Sequence, residues 1–334
     1  MLLVVGLAMC ASAWAQSKEF TLDDSGQWVK GRTPAPGSDE AVMANAAALL
    51  AGDDPSAAQS VLEEWIRVND HSESRWRPRA HLLLGDALLA QGDEFAALFE
   101  YERQVVQRFP KSEEFVRAIE RELRIGIQYA HGLKRKFLGV RVIKTGDIAE
   151  ETLIRVQERL PGSEVAEQAA IELADFYYRR NDLELASITY DLYTVNYPNG
   201  PNLRKAMERL IRVNVAKYKG PEYDGSSLID AIEETKHFLH RYPADAEKNA
   251  FDDRLVRRLQ DALADQTLAG ARWYIRRGDQ TSARFMLRRL VRRRPNSPAA
   301  QDALTLLARH GWDGPALTPA GGDTHGAPSH KGAP

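Results

Sequence analysis

A repeated spacing of small residues, bulky residues and prolines constrains the fold of this chain most strongly. In a clear copy a Gly or Asn is followed five residues later by Ala, nine residues later by a bulky apolar or aromatic residue, and 17 or 18 residues later by Pro. Clear copies begin at Gly92, Asn181 and Gly278, a partial copy begins at Gly52, and weaker copies surround Gly225 and Gly146. A recurring internal spacing of this kind predicts a repeat architecture.

Each copy is predicted to consist of two helices joined by a tight turn. Gly and Asn accept the left-handed conformation that ends a helix, and the Asp that follows each clear turn residue can cap the next helix. A proline then closes each unit, because proline lacks the N–H group and disfavours helix in the preceding residue. In one second helix, four apolar residues are spaced three, four and three apart and therefore share a face: Leu185, Ile188, Leu192 and Val195.

Small residues recur where two helices would cross closely. Gly85, Ala174 and Ala271 precede the turn residue by seven positions, and an Ala follows the turn by five positions. This pattern resembles the tetratricopeptide repeat, a helix–turn–helix unit. We therefore predict an all-α fold, a tetratricopeptide-repeat-like right-handed α-solenoid of about five to six helix pairs. It is expected to cover residues 39–312.

The termini are predicted to lie outside the repeats. Residues 1–15 are typical of a signal peptide, since Leu2–Ala13 is apolar and Ala13-Trp14-Ala15 fits a small–x–small cleavage site. Residues 16–38 are predicted as an extended lead-in, and residues 313–334, rich in Gly, Pro, Ala and Thr, as a disordered tail. We therefore expect export to the cell envelope, and to the periplasm in particular.

The single cysteine, Cys10, lies within the signal. Its setting, Leu7-Ala8-Met9-Cys10, resembles a bacterial lipobox, in which the cysteine is lipidated and becomes the first mature residue. Met9 stands where that motif has a small residue, so lipidation at Cys10 and plain cleavage after Ala15 are both open. Neither route permits a disulfide within the mature chain.

The charge is uneven along the chain. Its formal net charge of −2 argues against nucleic acid as a partner. Residues 248–295, however, hold 13 Lys and Arg against five Asp. The densest run contains Arg284, Arg288, Arg289, Arg292 and Arg293. Such a run is either a solvated helix face or a docking surface for an acidic partner or anionic lipid heads.

The sequence lacks the usual catalytic and metal-binding patterns. It has no phosphate-binding Gly-rich loop and no Gly-x-Ser-x-Gly elbow. His237 and His240 are one helical turn apart but lack a third ligand nearby, so we predict a surface or packing role for them. The paired glutamates at 63–64, 150–151 and 233–234 are interpreted as solvated faces. We expect no cofactor, no metal and no enzymatic activity.

Aromatic residues and one irregular segment are further candidates for binding. The tyrosines at 177, 178, 190, 193 and 197 occupy repeat positions that favour packing between helices over peptide binding. Trp65 and Trp273 are expected to be buried, whereas Trp76 is freer to be exposed. The basic segment from Lys134 to Lys144 breaks the pattern and is predicted as a loop insertion, either a binding element or a tolerated loop.

The arrangement resembles the D-component lipoproteins of the outer-membrane β-barrel assembly machinery. The resemblance rests on residues 169–182, on residues 271–279, and on the closures Tyr197-Pro198-Asn199-Gly200 and Arg294-Pro295-Asn296-Ser297. It covers roughly residues 40–310. It implies a non-enzymatic protein whose N-terminal repeats recognise unfolded outer-membrane protein segments and whose C-terminal repeats dock onto the barrel-forming partner.

Carried over by position, the five arginines between Arg284 and Arg293 are partner-docking candidates, and Cys10 is a candidate lipid anchor. The leading hypothesis is therefore an outer-membrane-associated scaffold that assists β-barrel assembly. The alternative is an envelope adaptor for cell-wall synthesis or division. A cell-wall lytic enzyme is the third hypothesis, and the lack of a globular catalytic domain argues against it.

Overall fold

The computed structural model describes residues 20–22, 28–30, 34–69 and 73–312. The predicted signal peptide, Cys10 and the predicted C-terminal tail lie outside these residues. The described chain is helical apart from two short strand pairs, and it falls into two compact units. The first unit comprises the chain up to Ile125 together with Lys134–Lys144, and the second comprises Gly126–Leu133 and the chain from Thr145 onwards.

The first unit contains four helices, most of a fifth and both strand pairs. The helices are α1 (Asp39–Ala51), α2 (Pro55–Asn69), α3 (Arg77–Ala90), α4 (Glu94–Phe99) with a π-helical continuation (Glu100–Val106), and α5 (Glu114–Ala130). The antiparallel strand pairs are β1 (Phe20–Leu22) with β2 (Trp28–Lys30), and β3 (Arg135–Phe137) with β4 (Val140–Ile143).

The second unit continues the series of helices. They are α6 (Gly146–Arg159), α7 (Glu164–Arg179), α8 (Leu183–Asn196), α9 (Leu203–Lys217), α10 (Ser226–Arg241), α11 (Pro243–Lys248), α12 (Asp253–Arg276), α13 (Gln280–Arg293) and α14 (Pro298–Arg309). Within the two units the described helices form five pairs, namely α1–α2, α3–α4, α7–α8, α9–α10 and α12–α13. The predicted all-α, tetratricopeptide-like fold is confirmed.

The turns between paired helices follow the predicted chemistry. Left-handed conformations occur at Gly92, Asn181 and Gly278, with φ of 71°, 58° and 79°. The Asp after each of them accepts a hydrogen bond from the backbone N–H three residues later, which caps the next helix. In the first pair the left-handed residue is Asp53, with φ of 60°, rather than the predicted Gly52.

The small repeat positions lie where helices meet. A Cβ atom at Gly85 would lie 2.8 Å from both Cδ1 and Cζ of the Tyr101 ring, so no side chain fits there. The corresponding residues Ala174 and Ala271 are fully buried, and so are the alanines that follow the three clear turns, Ala97, Ala186 and Ala283. Close helix contact therefore explains the small residues of the repeat.

A charged network links the first helix of one pair to the first helix of the next. In the α3–α5 link, Asp86 Oδ1 accepts from Tyr101 Oη at 2.8 Å and from Arg121 Nε at 2.9 Å. In the α7–α9 link, Asp175 is bound by Tyr190 and by Lys205 and Arg209, at 2.6 and 2.7 Å. The α12–α14 link has the opposite polarity, because Arg272 occupies the Asp position.

Arg272 donates to Asp302 at 2.9 Å. Both side chains are about half exposed, so solvent screens this pair more than it screens the pairs made by the buried Asp175.

The segment from Lys134 to Lys144 forms a β-hairpin rather than the predicted loop. The guanidinium of Arg141 donates to both carboxylate oxygens of Glu94, at 2.6 and 2.9 Å, and Lys136 Nζ donates to the carbonyl of Gln91 at 2.9 Å. Glu94 is buried, so Arg141 compensates a charge that would otherwise be unpaired. These bonds fix the hairpin to the turn between α3 and α4.

Candidate partner-docking surface

The arginine-rich candidate segment forms helix α13. Asp279 caps its N-terminus by accepting from the N–H of Ser282 at 3.0 Å, and Pro295 follows shortly after its end. Its inner face consists of Ala283, Leu287 and Leu290, which are buried against α12 and α14. The remaining surface of α13 carries all five arginines, so the helix presents a basic face opposite its core contacts.

The five candidate arginines have different environments. Arg284 is partly buried and its Nε is enclosed by protein. Arg288 is also partly buried, and its Nη2 donates to the carbonyl of Trp312 at 2.8 Å. Arg289, Arg292 and Arg293 are exposed. The structure therefore exposes three of the candidates to solvent, whereas Arg284 and Arg288 are partly buried.

An exposed phenylalanine lies within this basic face. Phe285 is 59% exposed and occupies the same side of α13 as Arg289 and Arg292, which follow it by four and seven residues. A large apolar side chain surrounded by guanidinium groups is typical of protein interfaces, in which Arg and aromatic residues are enriched. Sequence reasoning missed Phe285 because its apolar character predicts burial.

Two clefts border α13. The first, of about 310 Å³, is lined by Ile229, Met286, Arg289 and Arg293 among others. The second, of about 750 Å³, is lined by Tyr223, Arg272, Trp273 and Met286 among others. Both are open, mixed polar and apolar surfaces of the second unit, suited to a polypeptide side chain.

The expectation that Trp273 is buried is wrong. Trp273 is 42% exposed, and the guanidinium of Arg277 lies 4.5 Å from the centre of its ring. It follows the buried Ala271 by two residues, which on a helix corresponds to nearly the opposite side. Trp65, by contrast, is buried as expected, and so are Tyr177, Tyr190 and Tyr193.

Helix α8 exposes the apolar residues that the sequence places on one face. Leu185, Ile188, Leu192 and Val195 are 38%, 53%, 51% and 68% exposed. The core contacts of this helix come from its other side, where Ala186, Tyr190 and Tyr193 are buried. Because α8 is apolar on both sides, its periodicity did not reveal which side faces solvent.

Acidic residues lie beside this exposed face. Asp191 is on α8, and Asp230, Glu233 and Glu234 are on α10. Burial raises the pKa of Glu234, and the nearby negative charges of Asp191, Glu233 and Asp230 raise it further, against a lowering by His237. The two helices thus share a negatively charged region.

Metal-binding clusters and membrane-spanning helices are both absent from the described part of the chain. Within residues 20–22, 28–30, 34–69 and 73–312, no three His, Cys, Asp or Glu side chains are grouped to hold a metal ion. None of the helices described there has the length and apolarity needed to cross a bilayer. The surface described above is suited to binding other proteins.

A protein-family model described as YfiO, outer membrane lipoprotein, matches residues 141–310, which is half of the chain. The matched region begins in β4 and includes α6 to α14, so both the α8 face and the α13 face lie within it. The match confirms the family resemblance drawn from the sequence. No curated protein matches the chain.

Several solved structures are similar at low identity. The C-terminal part of a TPR repeat-containing protein from Cytophaga hutchinsonii is 14% identical, with 80% of this chain and 88% of that chain covered and a TM-score of 0.39. PilW, described as a widely conserved type IV pilus biogenesis factor, is 16% identical, with 81% and 100% covered and a TM-score of 0.30. PilF of Pseudomonas aeruginosa is 12% identical, with 80% and 97% covered and a TM-score of 0.31.

Proposed function

Because the chain belongs to the YfiO family of outer membrane lipoproteins, we propose that it is a non-catalytic periplasmic scaffold for outer-membrane β-barrel assembly. It acts by binding proteins: the barrel-forming component of the machinery and unfolded outer-membrane protein segments. Lipidation of Cys10 anchors it to the membrane. The helical-repeat fold supports this proposal, since such repeats present extended surfaces to polypeptides.

The observation that carries the proposal is the exposed part of α13. Arg289, Arg292 and Arg293 surround the exposed Phe285, and the helix contains no acidic residue. Such a surface suits a partner domain with acidic side chains around an apolar pocket, because the charges steer the encounter and the aromatic ring supplies buried apolar area. Arg288 is fixed beside this surface by its hydrogen bond to the carbonyl of Trp312.

Depletion and complementation in the native host test the proposal. We expect depletion to lower the amounts of outer-membrane β-barrel proteins, and the wild-type chain to restore them. A variant with Arg289→Glu and Arg292→Glu is expected to accumulate normally but fail to restore them. Arg257→Glu with Arg258→Glu is the matched control, since both side chains are exposed on α12 and the net charge changes equally.

A photo-crosslinker at position 285 identifies the partner directly. Crosslinks to the barrel-forming component support the proposal. Crosslinks to cell-wall synthesis or division enzymes alone, or unchanged barrel levels after depletion, would contradict it and favour the envelope-adaptor alternative.

A further inference from the structure

Three second helices of the helix pairs form a continuous surface in the second unit. Helices α8 and α10 both pack against α9. Ile229 of α10 lines the same cleft as Met286, Arg289 and Arg293 of α13. The helices α8, α10 and α13 therefore follow one another in space in the same order as in the sequence. We call these three helices the second-helix surface.

Charge changes sign from one end of the second-helix surface to the other. Helix α8 contains no basic residue and two acidic ones, of which Glu184 is paired with Lys217 of α9 at 2.8 Å and Asp191 is exposed. Helix α13 contains five arginines and no acidic residue. Helix α10 lies between them and carries charges of both signs. The surface thus has an acidic end, a mixed middle and a basic end.

Exposed apolar side chains occur along the whole surface. The acidic end has the four residues of α8, the middle has Ile229, and the basic end has Phe285. The spacing of three, four and three along α8 is that of a seam that packs against another helix. Helices α8 and α13 both have 14 residues, so they match in length.

We propose that two copies of this chain pair through this surface around a twofold axis, with α8 of each copy packed against α13 of the other. A twofold rotation turns the surface end for end, so each acidic end meets a basic end and the middle helices meet at the axis. The apolar seam of α8 then contacts Phe285 of the partner copy, twice per dimer.

A second copy explains more of the surface than another occupant does. A basic amphipathic helix of a different protein would cover α8, but it would leave Phe285 and the arginines of α13 exposed. A second copy covers the acidic and the basic end together and pairs their charges. The dimer also covers the arginines proposed to dock an acidic partner, so dimerisation and partner binding exclude each other.

Sedimentation velocity on the complete chain, over a range of concentrations, tests the pairing. We expect the wild type to form a dimer in a concentration-dependent manner. Ile188→Lys with Leu192→Lys removes apolar area and places positive charge against the partner's arginines. The dissociation constant should rise about tenfold or more. Val68→Lys with Val116→Lys is the control, because it changes two exposed valines in the first unit.

Charge exchange identifies the facing helices. Asp191→Arg alone, and Arg289→Glu with Arg292→Glu alone, should each weaken the dimer, and the combination should restore it. A wild type that remains a single chain up to about 100 μM, or a dimer that the α8 variant leaves intact, would overturn the proposal. The α8 variants keep the α13 arginines, so they leave the proposed partner docking unchanged. They therefore test dimerisation separately from the proposed scaffold function.

Discussion

Tyr190 Oη donates a 2.5 Å hydrogen bond to Oδ1 of Asp175, between the two helices of the α7–α8 pair. The same relationship links Tyr101 to Asp86 in the α3–α4 pair, and in both pairs the two residues are 15 positions apart. Tyr190 is fully buried and Asp175 nearly so. The tyrosine at the bulky position of the repeat therefore forms a buried hydrogen bond between the paired helices as well as apolar contacts.

We expect Tyr190→Phe to lower the free energy of unfolding by about 1–2 kcal/mol, because a buried hydrogen bond to a charged group is lost. Asp175 retains Lys205 and Arg209, which limits the cost. Urea denaturation measures the change. Tyr223→Phe is the control, since Tyr223 is 58% exposed, and it should have no measurable effect. Equal effects of the two substitutions would show that the Tyr190–Asp175 hydrogen bond does not stabilise the fold.

Alkaline pH should weaken the fold through the same tyrosines. Burial, and then hydrogen bonding to Asp175, raises the pKa of Tyr190 well above its ordinary value. Below about pH 10 the phenol is protonated in both states, so its contribution is fully present. Above that pH the unfolded chain loses the proton and the folded chain keeps it, so stability falls.

Urea denaturation at about pH 8 and about pH 11 measures this loss. Tyr190→Phe should reduce the loss between the two pH values relative to the wild type. Tyr223→Phe again serves as the comparison. An identical pH dependence in wild type and Tyr190→Phe would show that Tyr190 ionises equally easily in both states.

The close approach at Gly85 predicts strong intolerance of a single added methyl group. Gly85→Ala forces the Cβ into the ring of Tyr101, and we expect a destabilisation of about 1–3 kcal/mol. Gly270→Ala is the matched control. There the Cβ would lie 2.9 Å from Cε of Met286, the end of a flexible side chain that can move aside. Thermal unfolding should separate the two variants clearly.

The hairpin should detach without global unfolding when its anchor is removed. Arg141→Ala leaves the buried Glu94 without its guanidinium partner, so the bonds that fix the hairpin to the α3–α4 turn are lost. We expect faster amide hydrogen exchange across residues 135–143 and little change in α7. Arg159→Ala, at the end of α6, is a comparison outside the hairpin. Unchanged exchange in the hairpin would contradict the anchoring role of Arg141.

The sequence predicted the parts of the fold that depend on local chemistry. Gly92, Asn181 and Gly278 adopt the left-handed turn conformation because few other residues accept it. Gly85 is small because a Cβ atom there would overlap the ring of Tyr101. These positions are determined within one helix pair, so the spacing of residue types reveals them.

Exposure of the α8 and α13 surfaces could not be predicted in the same way. Leu192 and Tyr193 are adjacent and both apolar, yet one is half exposed and the other fully buried. Which of the two side chains is buried depends on where α7 and α9 pack against α8, and the local sequence pattern does not reveal that packing. Trp273 and Phe285 were missed for the same reason. The hairpin depends on Glu94, a residue 47 positions from Arg141, so no local pattern indicated it.

The reversed polarity of the last link makes the helix pairs non-interchangeable. Arg272 meets Asp302 where the earlier links have an aspartate facing an arginine. A shortened chain in which α7 and α8 were joined directly to α14 would bring Asp175 towards Asp302, two carboxylates with no cation between them. Deletion of α9 to α13 by recombination would therefore create repulsion at the new junction, so the charge of α14 matches the first helix of the last pair and not that of the α7–α8 pair.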